Sequence, residues 1–308
     1  MSDDFNPPIG VAETMGDGIR RIVAPNPSPM TYRGTNTYLV GAGDVAVIDP
    51  GPDDPGHLAA ILGALRPGDR VSHILVTHAH LDHSPLAPVL GRETGAAVHA
   101  YGPATAGRSP VMDGLAASGL VGGGEGVDAG FVPDIKLPDG AAVTGRGWRL
   151  VALWTPGHFG NHLCFAMDDT IFTGDLVMGW ASSLVSPPDG DVSDFMASCA
   201  RLQHSGPRIL HPGHGAPVRD PAARLDWLIT HRRAREGAIL DALAERPGRA
   251  DELARRIYTD VPAALMPAAA RNVLAHLVDL TSKKRAAPVG RLAADAVFEA
   301  RAENRGAG

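Results

Sequence analysis

The sequence predicts an α/β fold over residues 1–220, followed by a mainly helical domain over residues 221–308. Short apolar segments alternate with helix patterns in the first part, whereas helix patterns dominate the second. The charge also changes: residues 1–220 hold 13 Lys and Arg against 23 Asp and Glu, and residues 221–308 hold 15 against 11. A change in both patterning and charge predicts a domain boundary near residue 220.

The strands of the first part are predicted by apolar segments between turn residues. A helix follows the second of them, with Asp54 as its N-cap and Pro55 at its first helical position. By contrast, the glycine-rich residues 103–130 show no periodicity and predict a flexible loop, either a lid or, as we favour, an insertion. The predicted strands are "TYLVG", "VAVID", "HILVT", "AAVHA", "WRLVALWT", "HLCFAM", "TIFTG" and "RILHPG".

The second part predicts three helices and a short hairpin over "APVGRLAADAVFEA", which together favour a winged helix. Its first helix is long, and Arg232 and Glu236 interrupt the apolar face at a spacing of four. Residues at this spacing lie close together on a helix, so we expect the two side chains to pair.

The segment "VTHAHLDHSPL" places four residues of metal-binding types within six positions: His78, His80, Asp82 and His83. An apolar strand pattern precedes it, and Ser84-Pro85 is typical of a helix start, so the cluster lies in a loop after a strand. Open α/β sheets bind ligands at this end of their strands. Four imidazole and carboxylate groups so close together indicate a metal site.

Three later segments supply further ligands at the ends of predicted strands: His158 in "TPGHFGNH", Asp175 in "FTGDLV" and His214 in "HPGHG". Seven side chains can hold two ions about 3.5 to 4 Å apart if one carboxylate is shared. Asp49, at the end of "VAVID", is expected either to hydrogen-bond a ligand histidine or to cap a turn. With only Cys164 and Cys199 present, a cysteine-based zinc site is excluded.

The motifs H-x-H-x-D-H at 78–83, His158, Asp175, His214 and "VIDPG" resemble the metallo-β-lactamase-fold hydrolases. "NPSPMTYRGTNTYLVG", "VMGWASSLVSPPDGD" and the helical tail are similar to the lactamase-like subgroup with an added winged helix, which includes an endoribonuclease acting on single-stranded RNA. The resemblance implies an αββα sandwich with a C-terminal winged-helix-like domain.

The resemblance also implies two zinc ions, one held by His78, His80 and His158, the other by Asp82, His83 and His214, with Asp175 as the bridge. Iron or manganese would suit the same ligands. Two ions that share a water lower its pKa from 15.7 toward about 7, giving a bridging hydroxide that Asp82 would also orient.

Three functions follow: cleavage of single-stranded RNA, hydrolysis of small esters, lactones or thioesters (as in glyoxalase II), and non-enzymatic nucleic-acid binding, the weakest of the three because closed structural sites usually contain Cys. The substrate is thus a small molecule or RNA. Candidate substrate contacts are Tyr32, Arg33, Asn36, Ser182 and Ser183, and Lys283, Lys284 and Arg285 precede the hairpin as candidate phosphate contacts.

The expected environment and partners follow from what the sequence lacks. The N-terminal residues show no signal-peptide pattern, and no apolar run reaches the roughly 18 to 20 residues that span a bilayer. We therefore expect a cytoplasmic protein without a membrane partner, and a homodimer is an additional expectation.

Overall fold

The computed structural model describes residues 5–123 and 126–301. Its first sheet has seven strands that lie in chain order. The first four are antiparallel, and β4 to β7 are parallel. These strands are Glu13–Gly16 (β1), Ile19–Val23 (β2), Asn36–Val40 (β3), Asp44–Ile48 (β4), Arg70–Leu75 (β5), Ala97–Ala100 (β6) and Ile135–Lys136 (β7).

The second sheet has five strands in the order β12-β11-β10-β9-β8. Its pairs are antiparallel except for β11 and β12, which run parallel. All eight predicted strand segments are confirmed, four in each sheet. The strands are Ala142–Gly145 (β8), Trp148–Trp154 (β9), Leu163–Met167 (β10), Thr170–Gly174 (β11) and Ile209–Pro212 (β12).

The two sheets pack face to face, with helices on both outer sides. Tyr38 and Ile48 of the first sheet share an apolar core with Leu150 and Phe165 of the second. Helices α1 (Pro55–Gly63) and α2 (Leu86–Thr94) cover the first sheet, and the core outside the second sheet includes the later helix α4 (Val192–Ser205). The predicted αββα sandwich is therefore confirmed.

The starts of α1 and α2 show which capping predictions hold. Asp54 accepts a hydrogen bond from the backbone N–H of His57 at 2.7 Å, as predicted. Ser84 does not cap α2, which begins at Leu86. Its hydroxyl instead lies 2.8 Å from a carboxylate oxygen of Asp128, so this side chain ties the histidine loop to a neighbouring segment.

The C-terminal part forms the predicted winged helix. Helices α6 (Ala250–Ile257) and α7 (Met266–Ser282) flank a short 3-10 helix (Ala263–Leu265), and strands β13 (Ala286–Pro288) and β14 (Phe298–Ala300) form the antiparallel hairpin.

The prediction of an irregular loop over residues 103–130 is wrong in part, because a helix, α3 (Pro110–Ala117), lies within it. Met112 and Leu115 of α3 pack in the core of the C-terminal part. Their apolar partners lie more than 120 residues later in the chain, which is why local periodicity did not reveal the helix.

One long helix, α5 (Pro221–Glu245), joins the two parts. Leu225 and Leu228 near its start pack in the core outside the second sheet, whereas Ile239 and Leu243 pack in the C-terminal core. The helix therefore belongs to both cores.

The predicted pair between Arg232 and Glu236 on α5 is wrong. Arg232 turns inward to Ser183 and Asn272, while Glu236 accepts from Lys283 at 3.0 Å and Arg285 at 2.7 Å. Contacts with residues of other elements replace the predicted contact between Arg232 and Glu236.

Candidate metal centre

The loop that follows β5 carries four of the seven predicted ligands. It leaves the sheet after Leu75, and a neighbouring segment holds it in place through two backbone hydrogen bonds, from Leu81 N–H to Gly126 at 3.0 Å and from Asp128 N–H to Ala79 at 3.0 Å. Leu81 is 46 % exposed, whereas His78, His80, Asp82 and His83 are buried. The irregular backbone turns the polar side chains inward and leaves the leucine outside.

The other three predicted ligands come from the second sheet and meet this loop at one edge of the sandwich. His158 lies between β9 and β10, Asp175 follows β11 directly, and His214 follows β12. Gly174 has φ +45°, and an added Cβ there would lie 2.7 Å from the hydroxyl of Thr77. Glycine before Asp175 therefore allows the two sheets to approach closely at the site.

The structure brings all seven predicted side chains together in two groups, in each of which the ligand atoms lie within 4.8 Å of one another. In the first, His80 Nδ1 is 2.9 Å from His78 Nε2 and 3.1 Å from His158 Nε2. Asp175 completes this group. The second group comprises Asp82, His83 and His214.

Asp175 lies between the two groups. Its Oδ2 is 3.7 Å from His158 Nε2 and 3.2 Å from His214 Nε2, and its Oδ1 is 3.6 Å from His83 Nε2. A carboxylate with one oxygen near both groups has the geometry needed to bridge two cations.

Burial keeps the imidazoles of the first group neutral. It lowers the pKa of His80 to about 3, lowers that of His78 well below its usual range, and lowers that of His158 as well. Neighbouring imidazoles reinforce this effect for His78 and His80. Neutral imidazole is the form that binds metal, so these three residues present lone pairs to a common point.

The carboxylates beside the second group of histidines are ionised and require positive charge nearby. Burial raises the pKa of Asp82 and Asp175, but the neighbouring charges of His83 and His214 outweigh it and hold both pKa values well below the usual range. Conversely, burial lowers the pKa of His214, but the two carboxylates raise it to about 10. Two ionised, buried carboxylates need cations beside them, which either protonated histidines or metal ions provide.

Polar atoms without hydrogen bonds show that the residues fit metal ions. His83 Nε2 and Asp175 Oδ1 are buried and have no hydrogen-bond partner among the described residues. A Cβ on Gly213 would lie 2.4 Å from Asp175 Oδ1 and 2.8 Å from the ring of His83, so glycine leaves room for these donors. Unsatisfied donor atoms of the right chemistry point toward the places where the ions would lie.

Asp49 makes the contact with a ligand histidine that was one of its two expected roles. Its Oδ2 accepts hydrogen bonds from His83 Nδ1 at 2.9 Å and from the Thr77 hydroxyl at 2.7 Å, and its Oδ1 accepts from the Thr77 backbone N–H at 2.7 Å. The bond to Nδ1 leaves His83 Nε2 facing the site.

Two supporting residues were missed from sequence. Thr35 donates its hydroxyl to Asp82 Oδ2 at 3.1 Å, and Asn161 accepts from the backbone N–H of Ala79 at 3.3 Å. Each lies within a motif that had been selected for a neighbouring residue, "RGTNTY" or "HFGNH". Proximity to a ligand motif was the available signal.

The five predicted substrate contacts occupy different places. Ser182 lines the cavity at the site, whereas Ser183 is fully buried and donates its hydroxyl to Leu176. Asn36 is also fully buried, and its amide donates to Pro212 and Gly215, on both sides of His214.

Tyr32 and Arg33 are half-buried and are not among the residues that line this cavity. The Tyr32 ring stacks on Trp180 with centroids 4.8 Å apart, and the Arg33 guanidinium lies 5.2 Å from the centre of the Tyr32 ring. Tyr32 has φ +59°, an uncommon conformation for a residue with a side chain. Its ring supports Trp180, which does line the cavity.

A cavity of about 310 Å³ opens onto the two groups, a size suited to a small molecule. His80, Asp82, His158, Asp175 and His214 form its floor. The first part of the chain also contributes apolar side chains, and the C-terminal part supplies the opposite wall. The apolar residues of the two walls are Pro29, Met30, Met178, Trp180, Ala181, Leu184, Val261, Leu265, Ala268 and Ala269.

Comparison with known families matches both parts of the chain. Residues 30–228 match the metallo-beta-lactamase superfamily, and residues 250–293 match the beta-lactamase associated winged helix domain. Among the described residues, no helix has both the length and the apolar character needed to cross a membrane.

Similar proteins span most of the chain. A beta-lactamase-like protein 2 homolog from Drosophila melanogaster is 32 % identical over 274 residues, which cover 84 % of this chain and 86 % of that protein. An atrochrysone carboxyl ACP thioesterase from Aspergillus fumigatus is 29 % identical over 245 residues, covering 77 % and 68 %. A metallo-beta-lactamase family protein from Thermus thermophilus has a similar structure, with a TM-score of 0.74, 26 % identity and coverage of 94 % and 100 %.

The family match over most of the first part, the winged-helix match and the His/Asp cluster agree with one another. The chain therefore belongs to the metallo-beta-lactamase superfamily, carries the winged helix associated with it, and is a metal-dependent hydrolase.

Proposed function

We propose that the protein is a dinuclear zinc hydrolase of small acyl esters, with thioesters that carry a compact apolar acyl group as the preferred substrates. The observation that carries this proposal is the cavity above the two ligand groups, which is small and walled mainly by apolar side chains. A pocket of this kind holds an apolar group and presents one polar bond to the catalytic groups. The relative named as a thioesterase supports the choice.

His78, His80, His158 and Asp175 would hold one ion, and Asp82, His83 and His214 the other, with Asp175 between them. Bound ions supply a water of lowered pKa and polarise the carbonyl oxygen of the substrate. Asp82 remains ionised and is fixed by Thr35, so its carboxylate can accept a hydrogen bond from the attacking water and orient it. The apolar walls exclude other water from the acyl group.

Single-stranded RNA, expected from the subgroup resemblance, fits this site less well. Arg232 and Arg235 are the cationic residues of the wall. Arg232 is occupied by Ser183 and Asn272, and the Arg235 guanidinium lies 4.4 Å from the centre of the Tyr258 ring. Helix α7 contributes Ala268, Ala269 and Asn272 to the wall. This face of the winged helix is therefore turned toward the ligand groups and is part of the cavity.

A substrate panel tests the proposal. Zinc-loaded protein is assayed against acetyl, butyryl and hexanoyl thioesters of N-acetylcysteamine, a lactone, a β-lactam and single-stranded RNA. We expect kcat/KM to rise from acetyl to butyryl, because each buried methylene contributes about 0.8 kcal/mol, or roughly fourfold. Cleavage of RNA with no turnover of any thioester would overturn the proposal.

A matched pair of variants tests whether the acyl group lies against the C-terminal wall. Ala268→Leu narrows the cavity, whereas Ala264→Leu adds the same side chain at an exposed position outside it. We expect Ala268→Leu to shift the preference toward shorter acyl chains and Ala264→Leu to keep the wild-type preference. An unchanged chain-length profile in both variants would place the acyl group elsewhere.

A further inference from the structure

The segment between Asp175 and α4 is held by side chains of the C-terminal helices. Arg224 on α5 donates to the carbonyl oxygens of Met178 at 2.7 Å and Ala181 at 2.6 Å. Arg271 on α7 donates to the carbonyl oxygen of Pro187 at 3.2 Å. We call residues 178–187 the clamped loop.

Two residues that contact each other, one on α5 and one on α7, hydrogen-bond the centre of the clamped loop. Arg232 on α5 donates to the carbonyl oxygen of Ser183 and, at 2.9 Å, to Asn272 Oδ1. The same Asn272 oxygen accepts the backbone N–H of Val185 at 3.1 Å. The two residues thus fix the peptide groups on both sides of Leu184.

Leu184 connects the clamped loop to the metal centre. Its carbonyl oxygen accepts a hydrogen bond from His158 Nδ1 at 2.7 Å. Because a carbonyl can only accept, this bond places the proton of the neutral imidazole on Nδ1 and leaves the lone pair on Nε2. His158 Nε2 is the atom that faces His80 and Asp175.

Burial of the Arg232 guanidinium in this position is unfavourable for the stability of the fold. It is 3 % exposed and has no carboxylate partner among the described residues, so its charge is compensated by neutral oxygens and by the ring of Phe195 at 4.9 Å. A buried cation without a counter-ion costs free energy. The hydrogen bonds that Arg232 makes in place of an ion pair go to the clamped loop and to Asn272, which also holds that loop.

We propose that Arg232 and Asn272 are positioning residues for the metal centre: by fixing the Leu184 carbonyl, they hold the His158 imidazole with Nε2 toward the first ligand group. The proposal rests on the proposed metal site and gives the winged helix a role within it. Neither residue is a metal ligand, and the carbonyl acts through His158.

Metal affinity tests the proposal in the full-length protein. Zinc dissociation constants are measured by competition with a chelator, at a temperature where circular dichroism shows every variant to be folded. We expect Arg232→Met and Asn272→Ala to lower the affinity for one of the two zinc ions by about 10- to 100-fold. This range is typical when a hydrogen-bond partner of a ligand histidine is lost. Asn272→Asp retains the acceptor oxygen and should restore most of the affinity.

Arg233→Met is the matched control, because Arg233 is the exposed neighbour of Arg232 on the same helix and lies outside the cavity. Its zinc affinities should equal those of the wild type. If Arg232→Met does not fold, the half-buried Asn272→Ala decides. Lower melting temperatures with unchanged zinc affinities would overturn the inference alone, whereas a wild type that binds no zinc would overturn the metal site and the inference together.

Discussion

The position of Asp175 between the two ligand groups determines how the site would respond to the loss of single residues. One of its oxygens approaches His158 and His214, and the other approaches His83. His214, in contrast, belongs only to the second group, with Asp82 and His83. A change at Asp175 therefore affects both groups, and a change at His214 affects one.

Asp175→Ala should lower metal occupancy at both positions, and His214→Ala at one. Elemental analysis after zinc loading and gel filtration should find about two ions in the wild type and about one in His214→Ala, with less than one in Asp175→Ala. Circular dichroism should confirm that the folds are retained. A wild-type content of no more than one ion would contradict the dinuclear site.

Asp49 gives a second prediction, because its carboxylate accepts hydrogen bonds that an amide cannot fully accept. In Asp49→Asn, the amide N–H₂ would face either the Thr77 backbone N–H or His83 Nδ1. We expect zinc affinity to fall by about 10- to 100-fold, measured by chelator competition. Asp53→Asn, at an exposed position of the same turn, is the control, and equal affinities in the two variants would contradict the role of Asp49.

At the scale of elements, α7 and the residues after it show why the charge of the C-terminal part does not by itself indicate RNA binding. Lys283 lies 3.0 Å from Glu236 and 2.7 Å from Asp279, and Arg285 lies 2.7 Å from Glu236. Two of the three cations before the hairpin thus have carboxylate partners within the chain.

Replacing Lys283, Lys284 and Arg285 with Ser should therefore leave RNA affinity nearly unchanged and lower stability modestly, by about 1 kcal/mol, since partly exposed ion pairs contribute little. Fluorescence anisotropy with single-stranded RNA at several salt concentrations measures the first effect and urea unfolding the second. Each phosphate contact adds about 0.7 to the slope of log affinity against log salt. A slope reduced by about 2 would show that all three residues contact RNA.

The strands and helices also differ in how well they could be predicted from the sequence. All eight predicted strands were found because each is an apolar run between turn residues. Strand β2 was missed because it carries Arg20 and Arg21, whose buried charges are paired with Asp69 and Glu13. Helix α3 was missed because its apolar partners lie in the C-terminal part. Pairing with residues of other elements leaves no pattern within the segment itself.

The site was more predictable than its surroundings, because metal ligands are restricted to a few residue types. The seven side chains found together in the structure were recognised by type and spacing. The cavity wall was not predicted, since Ala268 and Leu265 are ordinary apolar residues until the winged helix folds over the ligand groups. Nor does the sequence reveal that Arg232 turns toward Ser183 instead of Glu236.

For the whole molecule, buried histidines outside the two ligand groups contribute to the response to acid. Burial lowers the pKa of His57 and His211 to about 4 and that of His276 to about 3. The unfolded chain takes up these protons near pH 6.5, whereas the folded chain resists them. Their contribution to stability is therefore complete above pH 6.5 and is lost as the pH falls toward 4.

His276→Leu should reduce this acid sensitivity. Between pH 7 and pH 5, the wild type should lose about 2 kcal/mol more of its free energy of unfolding than the variant, because 1.36 kcal/mol corresponds to one pKa unit. Urea unfolding with zinc chelated measures the difference. His204→Leu, at an exposed position, should keep the wild-type pH dependence, and equal pH dependence in His276→Leu would contradict the assignment.

The continuity of α5 constrains how molecules enter and leave the cavity. Its 25 residues extend roughly 37 Å and are embedded in two cores, so the two parts cannot hinge apart without breaking a helix. The wall can open only where it lies outside that helix, and residues 258–265, which contribute Tyr258, Val261 and Leu265, connect α6 to α7 there. A movement of residues 258–265 would therefore widen the cavity while α5 stays intact, whereas a hinge between the two parts would not.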